Sequence, residues 1–173
     1  MAKIIFVSGI HGVGKSTLCY ELSKKFGWPH FSCSDLIKQY SDYVETSKLV
    51  IGVDKNQEAL LHGVSQIKDD IILLDGHFCL INRENKVIKL DMKIFKSLEP
   101  IVVLNVTCDE KIIVERLVRR DLLALPYEIL VEIQKKECIQ ADIYCTKNNC
   151  KILKYNSPYS TRELIESLES MNL

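Results

Sequence analysis

Residues 9 to 17 read GIHGVGKST, directly after the apolar run KIIFV at residues 3 to 7. Glycines in such a loop let successive backbone N–H groups curl around phosphate oxygens, and the N-terminus of the helix that follows adds a favourable dipole. Gly9, Gly14, Lys15 and Ser16 satisfy G-x-x-x-x-G-K-[ST] in the strand–loop–helix setting that this chemistry requires, with Gly12, Val13 and Thr17 completing the loop. The stretch is therefore expected to hold a nucleoside triphosphate. Lys15 would reach the β- and γ-phosphates, Ser16 would place its hydroxyl on magnesium, and Thr17 would bond the α-phosphate.

Such a loop needs a carboxylate near the magnesium, at the end of a buried strand. The run IILLD supplies Asp75 after four apolar residues, where it acts on the metal through water. The plainer reading is an aspartate that opens a turn at Gly76. A third feature is ERLVRRD: the chain has five arginines, and Arg116, Arg119 and Arg120 fall within five positions. At i, i+3 and i+4 they share one helix face, suited to neutralising a phosphoryl group in transit. Partners Glu115 and Asp121 on a solvated face would be the ordinary alternative. DLLALPY, next in the chain, reads as a short lid.

These groups need a scaffold. Lys3 to Val7, His30 to Cys33, Ile71 to Leu74, Ile101 to Val106 and Cys150 to Tyr155 read as five strands. Between them lie helical stretches: Ser16 to Phe26, 41 to 68 with a break near Gly52, Asp91 to Leu98, Glu110 to about Arg120, and Pro126 to Thr146. Ser34 or Asp35 is expected to cap the helix after the second strand, while Thr107 to Glu110 and Ser160 to Glu163 read as capping boxes. Residues 79 to 90 suggest a hairpin turning at Glu84-Asn85. Strands alternating with helices give an α/β fold, a five-stranded parallel sheet flanked by helices. No repeat or linker interrupts 1 to 173, so one domain is expected.

The bulk composition narrows the function classes. Lysine plus arginine equals aspartate plus glutamate, 23 each, against a surface built mainly for nucleic acid or an anionic membrane. No apolar run approaches the roughly 20 residues that span a bilayer, and no signal-peptide cleavage site follows the first strand. Seven cysteines, at 19, 33, 79, 108, 138, 145 and 150, form no C-x-x-C pair. Reduced thiols and a cytoplasmic location fit best.

Taken together, GIHGVGKST, Asp75-Gly-His77 and Arg116-Leu-x-x-Arg120 resemble the P-loop nucleoside-monophosphate kinases, specifically the archaeal-type adenylate kinases and their eukaryotic nuclear relatives, small AAA-type ATP-binding proteins. The resemblance runs from residue 3 to about 155. It implies ATP as phosphoryl donor, Mg2+ as cofactor, an acceptor-binding region at about 35 to 68 and a lid near 117 to 127. It also ties His77 to phosphotransfer or ATPase activity, and it gives catalytic roles to Lys15, Arg116, Arg120 and Asp75. Adenine would rest between Arg116 and the loop YNSPYST, with Asn156 reading the base edge and Pro158 or Tyr159 on its face.

One departure bears on the acceptor. Nucleoside monophosphate kinases generally hold the acceptor phosphate with an arginine after the second strand, and no arginine occurs between Thr17 and Asn82. Lys38, Lys48, Lys55 and Lys68 are the cations of the acceptor region, and a lysine does not reproduce a bidentate clamp. AMP is therefore expected to bind weakly or not at all. Asp35, in SCSDL, is read as a base for an acceptor hydroxyl or as a helix cap. Asn56 and Gln57 are candidates for reading a base or sugar. Three functions stay open at this point: a nucleotide kinase, a small-molecule hydroxyl kinase, and an ATP-hydrolysing switch acting on a protein partner.

Overall fold

Strand β1, Lys3–Ser8, lies at the centre of the sheet and is buried on both sides. Its side chains alternate between two cores, as a period of two requires. Ile5 and Val7 join one core with Leu22, Leu73 and Leu104, whereas Ile4 and Phe6 join the other with Ile72, Leu74 and Val103. The computed structural model describes residues 2–46, 55–120 and 125–173. Lys48, Gly52 and residues 121–124 of the expected lid lie outside the described residues.

The remaining strands are β2 His30–Ser32, β3 Ile71–Gly76, β4 Cys79–Ile81, β5 Val87–Lys89, β6 Val102–Cys108 and β7 Lys151–Ser157. The helices are α1 Lys15–Phe26, α2 Cys33–Thr46, α3 Lys55–Ser65, α4 Met92–Leu98, α5 Glu110–Arg119, α6 Tyr127–Asn148 and α7 Arg162–Glu169. The main sheet is five-stranded and parallel, in the order β2-β3-β1-β6-β7. From β1 the chain first builds one side of the sheet and later the other. A crevice opens at the carboxyl ends of the strands where the direction reverses, the usual ligand position in such sheets.

Most expected elements are present, with shifted ends. β6 continues through Thr107, which pairs with Asn156, so the box expected at Thr107 does not form. Asp109 caps α5 instead, its carboxylate accepting from Lys111 N at 2.8 Å. At α7 the cap is Thr161, without a side-chain bond, while Ser160 Oγ accepts from Arg162 N at 3.3 Å. Helix α2 starts at Cys33, directly after β2, leaving Asp35 in its first turn rather than at its cap. The hairpin forms from β4 and β5: Asn82 Oδ1 accepts from Glu84 N and Lys86 N, and Asn85 takes a φ of 57°.

Below the carboxyl end of β3, aromatic rings pack edge to face. Phe6 lies 5.4 Å from both Phe78 and Phe95, between ring centres. Gly76 closes β3 against this cluster: a Cβ there would stand 2.9 Å from Cys33 Sγ and from two ring carbons of Phe6. Gly76→Ala is therefore expected to overpack the site and lower stability by roughly 1–3 kcal/mol. Urea denaturation of the variant beside the natural chain measures it.

Candidate active site

Three glycines shape the loop after β1. Gly9, Gly12 and Gly14 take φ values of 151°, 86° and 102°, where L side chains are strained. At Gly9 even the space is lacking, since a Cβ would lie 2.6 Å from the Val106 carbonyl oxygen. The loop hands over directly to α1, whose N-cap is Gly14.

Lys15, the first residue of α1, is buried, and its ammonium donates to Gly9 O at 2.7 Å and Ile10 O at 3.2 Å. Burial lowers its pKa, while Asp75 and Glu137 pull it back up. The cleft around it is lined by Gly12, Ser16, Thr17, Asp35, Asp75 and Arg120, with His11, His30 and His77 also on its walls. Loop, strand-end carboxylate and one arginine, far apart in sequence, thus face one cavity of about 280 Å³.

The three arginines do not act as one face. Arg120 ends α5 and opens onto this cleft, whereas Arg119 is exposed on the helix. Arg116 is half-buried and bonded: Nη1 donates to Gly12 O at 2.9 Å and Nη2 to Ser157 Oγ at 3.3 Å. It lines a neighbouring cavity with Gly14, Thr17, Tyr155, Ser157 and Pro158. Asn156 does not reach that cavity. It is exposed and lines a different one, on the Thr107–Asp109 side of β7, because the strand alternation turns it away from Tyr155 and Ser157.

Asp75 pairs with His30 of β2, Nε2 to Oδ2 at 2.5 Å. Cys19, His30 and Asp75 each offer a ligand atom within 4.8 Å of the others. Burial pushes the Cys19 thiol up to about 12, keeping it protonated. Magnesium takes oxygen ligands, and the cleft wall offers the carboxylates of Asp75 and Asp35 and the hydroxyls of Ser16, Thr17 and Ser32, so the expected pair Ser16 and Asp75 fits such an ion. His77 stacks obliquely with His11, ring centres 4.5 Å apart. Burial pushes His77 down to about 3, with Lys15 and His11 adding to it, so the ring is neutral at ordinary pH.

Sequence reading missed His30, His11 and, above all, Glu137. This carboxylate, 1% exposed on α6, accepts from Phe78 N at 2.9 Å through both oxygens and from Cys79 N at 2.7 Å. It thereby fastens the turn that carries His77. Burial raises its pKa to about 7, against the lowering effect of those two N–H groups and Lys15. The one signal in the sequence was a glutamate at helical spacing from Leu130, Ile133, Ala141 and Tyr144, on the buried face of a long helix.

A second cavity of about 260 Å³ meets the cleft around Lys15, and Ser32, Asp75 and His77 line both. It runs inward over Phe6, Leu60 and Phe95, beside Asn56 and Gln57 of α3. Among the described residues no helix is long and apolar enough to cross a membrane.

Known proteins resemble this chain in sequence and in fold. A family model described as an AAA domain matches residues 8–123. Human adenylate kinase isoenzyme 5 is 26% identical over 132 residues, which cover 73% of this chain and 24% of that protein. The mouse protein of the same name is 36% identical over 63 residues, 36% of this chain and 11% of that one. The chain thus spans a quarter or less of the length of these relatives. Two solved structures share the fold. TT1252 from Thermus thermophilus has a TM-score of 0.53 at 15% identity, covering 98% of this chain and 96% of that one. A candidate kinase of Chloroflexus aurantiacus has a TM-score of 0.56 at 14% identity, covering 98% and 95%.

The Glu137 carboxyl gives a pH test. Unfolded, it loses its proton near its ordinary value of 4.5; folded, it keeps it until about 7. Between these values the folded state binds more protons, so this group's contribution is full below about 4.5 and is lost as pH rises through about 7. The change is of the order of 3 kcal/mol. Glu137→Gln should flatten that part of the profile, read as the difference in urea-derived stability between about pH 5 and about pH 8.

Proposed function

The chain belongs to the AAA domain family, and from that premise we propose that it is an Mg–ATP-dependent phosphotransferase, moving the γ-phosphoryl group of ATP to a small acceptor. One observation carries the reading: the phosphate cleft and the inner cavity meet at Ser32, Asp75 and His77. A donor held by the loop and an acceptor held in the second cavity would face each other across that wall, with reacting atoms aligned and water excluded. The likeness to adenylate kinase isoenzyme 5 supports the same class.

Each side chain then has a task. Lys15 leaves the loop carbonyls that hold it and meets the phosphate oxygens, while the N–H groups of residues 12–17 cradle them. Ser16 and Asp75 would hold the metal ion, which when bound neutralises charge on the β- and γ-oxygens. Arg120, also on the wall of this cleft, would face the charge that develops in transfer. Arg116 acts further back: it holds the Gly12 carbonyl and flanks the cavity suited to the base, with Ser157, Pro158 and Tyr159 around it. His77, neutral, offers a hydrogen bond rather than a charge at the shared wall.

Counting ADP formed from Mg–ATP with and without a panel of acceptors tests the function. Acceptor-dependent ADP supports a kinase; slow ADP indifferent to every acceptor would instead mark an ATP-hydrolysing switch. Lys15→Ala is expected to lower turnover by roughly 10² to 10³ or more, since a charge-stabilising donor is lost. A folded variant with natural turnover would remove the assignment.

The two arginines should separate kinetically. Arg120→Ala is expected to cut kcat by roughly 10³ to 10⁵ with ATP affinity little changed. Arg116→Ala should weaken ATP binding as well, because the Gly12 carbonyl and Ser157 lose their shared partner. Steady-state kinetics with a separate nucleotide-binding titration resolves the two patterns.

A further inference from the structure

The inner cavity has a chemical character of its own. Its floor is apolar, built from Phe6, Leu60, Ile94, Phe95 and Leu98, all of them belonging to the buried core beneath β3. Its polar atoms gather at two places: the amides of Asn56 and Gln57 on α3, and the hydroxyls of Ser32 and Ser34 beside Asp75. Among the described residues no lysine or arginine lines it. Lys38, Lys55 and Arg83 are exposed and stand outside its walls.

Charge decides what such a cavity accepts. A phosphomonoester is close to a dianion at neutral pH. Brought here it would leave water and sit near the carboxylate of Asp75, with no lysine or arginine among this cavity's described wall residues; Lys15 and Arg120 stand on the cleft side, where the phosphates of the donor would take them up. Burying an unpaired charge costs several kcal/mol, which a single water-exposed lysine does not offset. A neutral hydroxyl meets no such penalty, and the serine and carboxylate groups at the shared wall are what a hydroxyl can bond.

Shape points the same way. A volume of about 260 Å³ with phenyl rings on its floor suits one ring system and a sugar-sized polar part. The side amides can meet the hydrogen-bonding edge of that ring.

We propose that the phosphate acceptor is a neutral, ring-bearing alcohol of nucleoside size, its ring on the Phe6–Leu60–Phe95 floor and its hydroxyl at the Ser32–Asp75–His77 wall, and not a nucleoside monophosphate. The proposal rests on the phosphotransferase reading. In the transfer, the hydroxyl oxygen forms a bond to the γ-phosphorus as the bond from that phosphorus to the β,γ-bridging oxygen breaks. The bridging oxygen keeps the electron pair and leaves with ADP. The hydroxyl proton passes to Asp35, in the first turn of α2 and on the cleft wall. Asp75 is committed to His30 and to the metal side.

Matched pairs test it: adenosine, guanosine, cytidine, uridine and thymidine, each beside its 5′-monophosphate, with Mg–ATP and the full chain. ADP release gives kcat/KM, and mass spectrometry identifies the phosphorylated product. At least one nucleoside is expected to exceed its monophosphate by roughly a hundredfold, the scale of an unpaired buried charge. Ile37→Lys places a cation on the cavity wall and should move that ratio roughly tenfold toward the monophosphate. Gln57→Lys, at a more open position on α3, serves if the first variant does not fold. A monophosphate preferred by the natural chain overturns the neutral acceptor while leaving phosphoryl transfer standing. ADP release that no member of any pair accelerates overturns both.

Discussion

A lysine ammonium held out of water organises this molecule. Lys15 is desolvated, and two loop carbonyls with the fields of Asp75 and Glu137 keep it charged in place. Desolvating a charge without partners is costly, so the residues around it are constrained in kind and in position. The loop must bend its carbonyls inward, which its glycines allow. The strand-end carboxylate must stand across the cleft, and the buried face of α6 must carry an acid. On the proposed reading, a phosphate chain entering the cleft would supply the anion that this arrangement half provides. The site would then be built around a cation whose best partner is the substrate.

The sheet order makes that possible. β1 lies between β3 and β6, so the loop after β1 emerges at the crevice with Asp75 on one side and the β6–α5 connection on the other. The phosphate end, the Arg116 cavity and the inner cavity then fan out from one point. Glu137 couples the inner side to the core: by holding the N–H groups of Phe78 and Cys79, it fixes where β3 ends and the hairpin begins. His77 sits on the residue before, so its place at the shared wall is set by a helix 60 residues away in sequence.

What was legible in the sequence was local. GIHGVGKST carries its meaning in spacing, IILLD in a burial pattern with a carboxylate at its end, and the five strands in short β-branched runs. The 82–86 turn was legible for the same reason, Asn and Glu-Asn being turn chemistry. The parts that were not legible depend on neighbours distant in sequence. His30 gains its role from the parallel pairing of β2 with β3, and Glu137 from the packing of α6 under β4. The arginines show the limit most clearly. Helical spacing placed them on one face, but long side chains reach in different directions, so Arg116 bonds backward to the loop while Arg120 opens forward. The capping box at Thr107 failed because β6 ran two residues longer than its apolar run, and the one at Ser160 because α7 takes Thr161 as its cap.

The Arg116 guanidinium joins the Gly12 carbonyl to the Ser157 hydroxyl, one within the loop after β1 and the other at the end of β7. It acts as a strut across the mouth of the cavity between them. The spacing from the Gly12 loop to the Ser157 turn is therefore set by the fold itself. On the proposed reading, little conformational entropy would remain to be lost there when a nucleotide binds. A nucleotide of the right span would meet a preorganised seat.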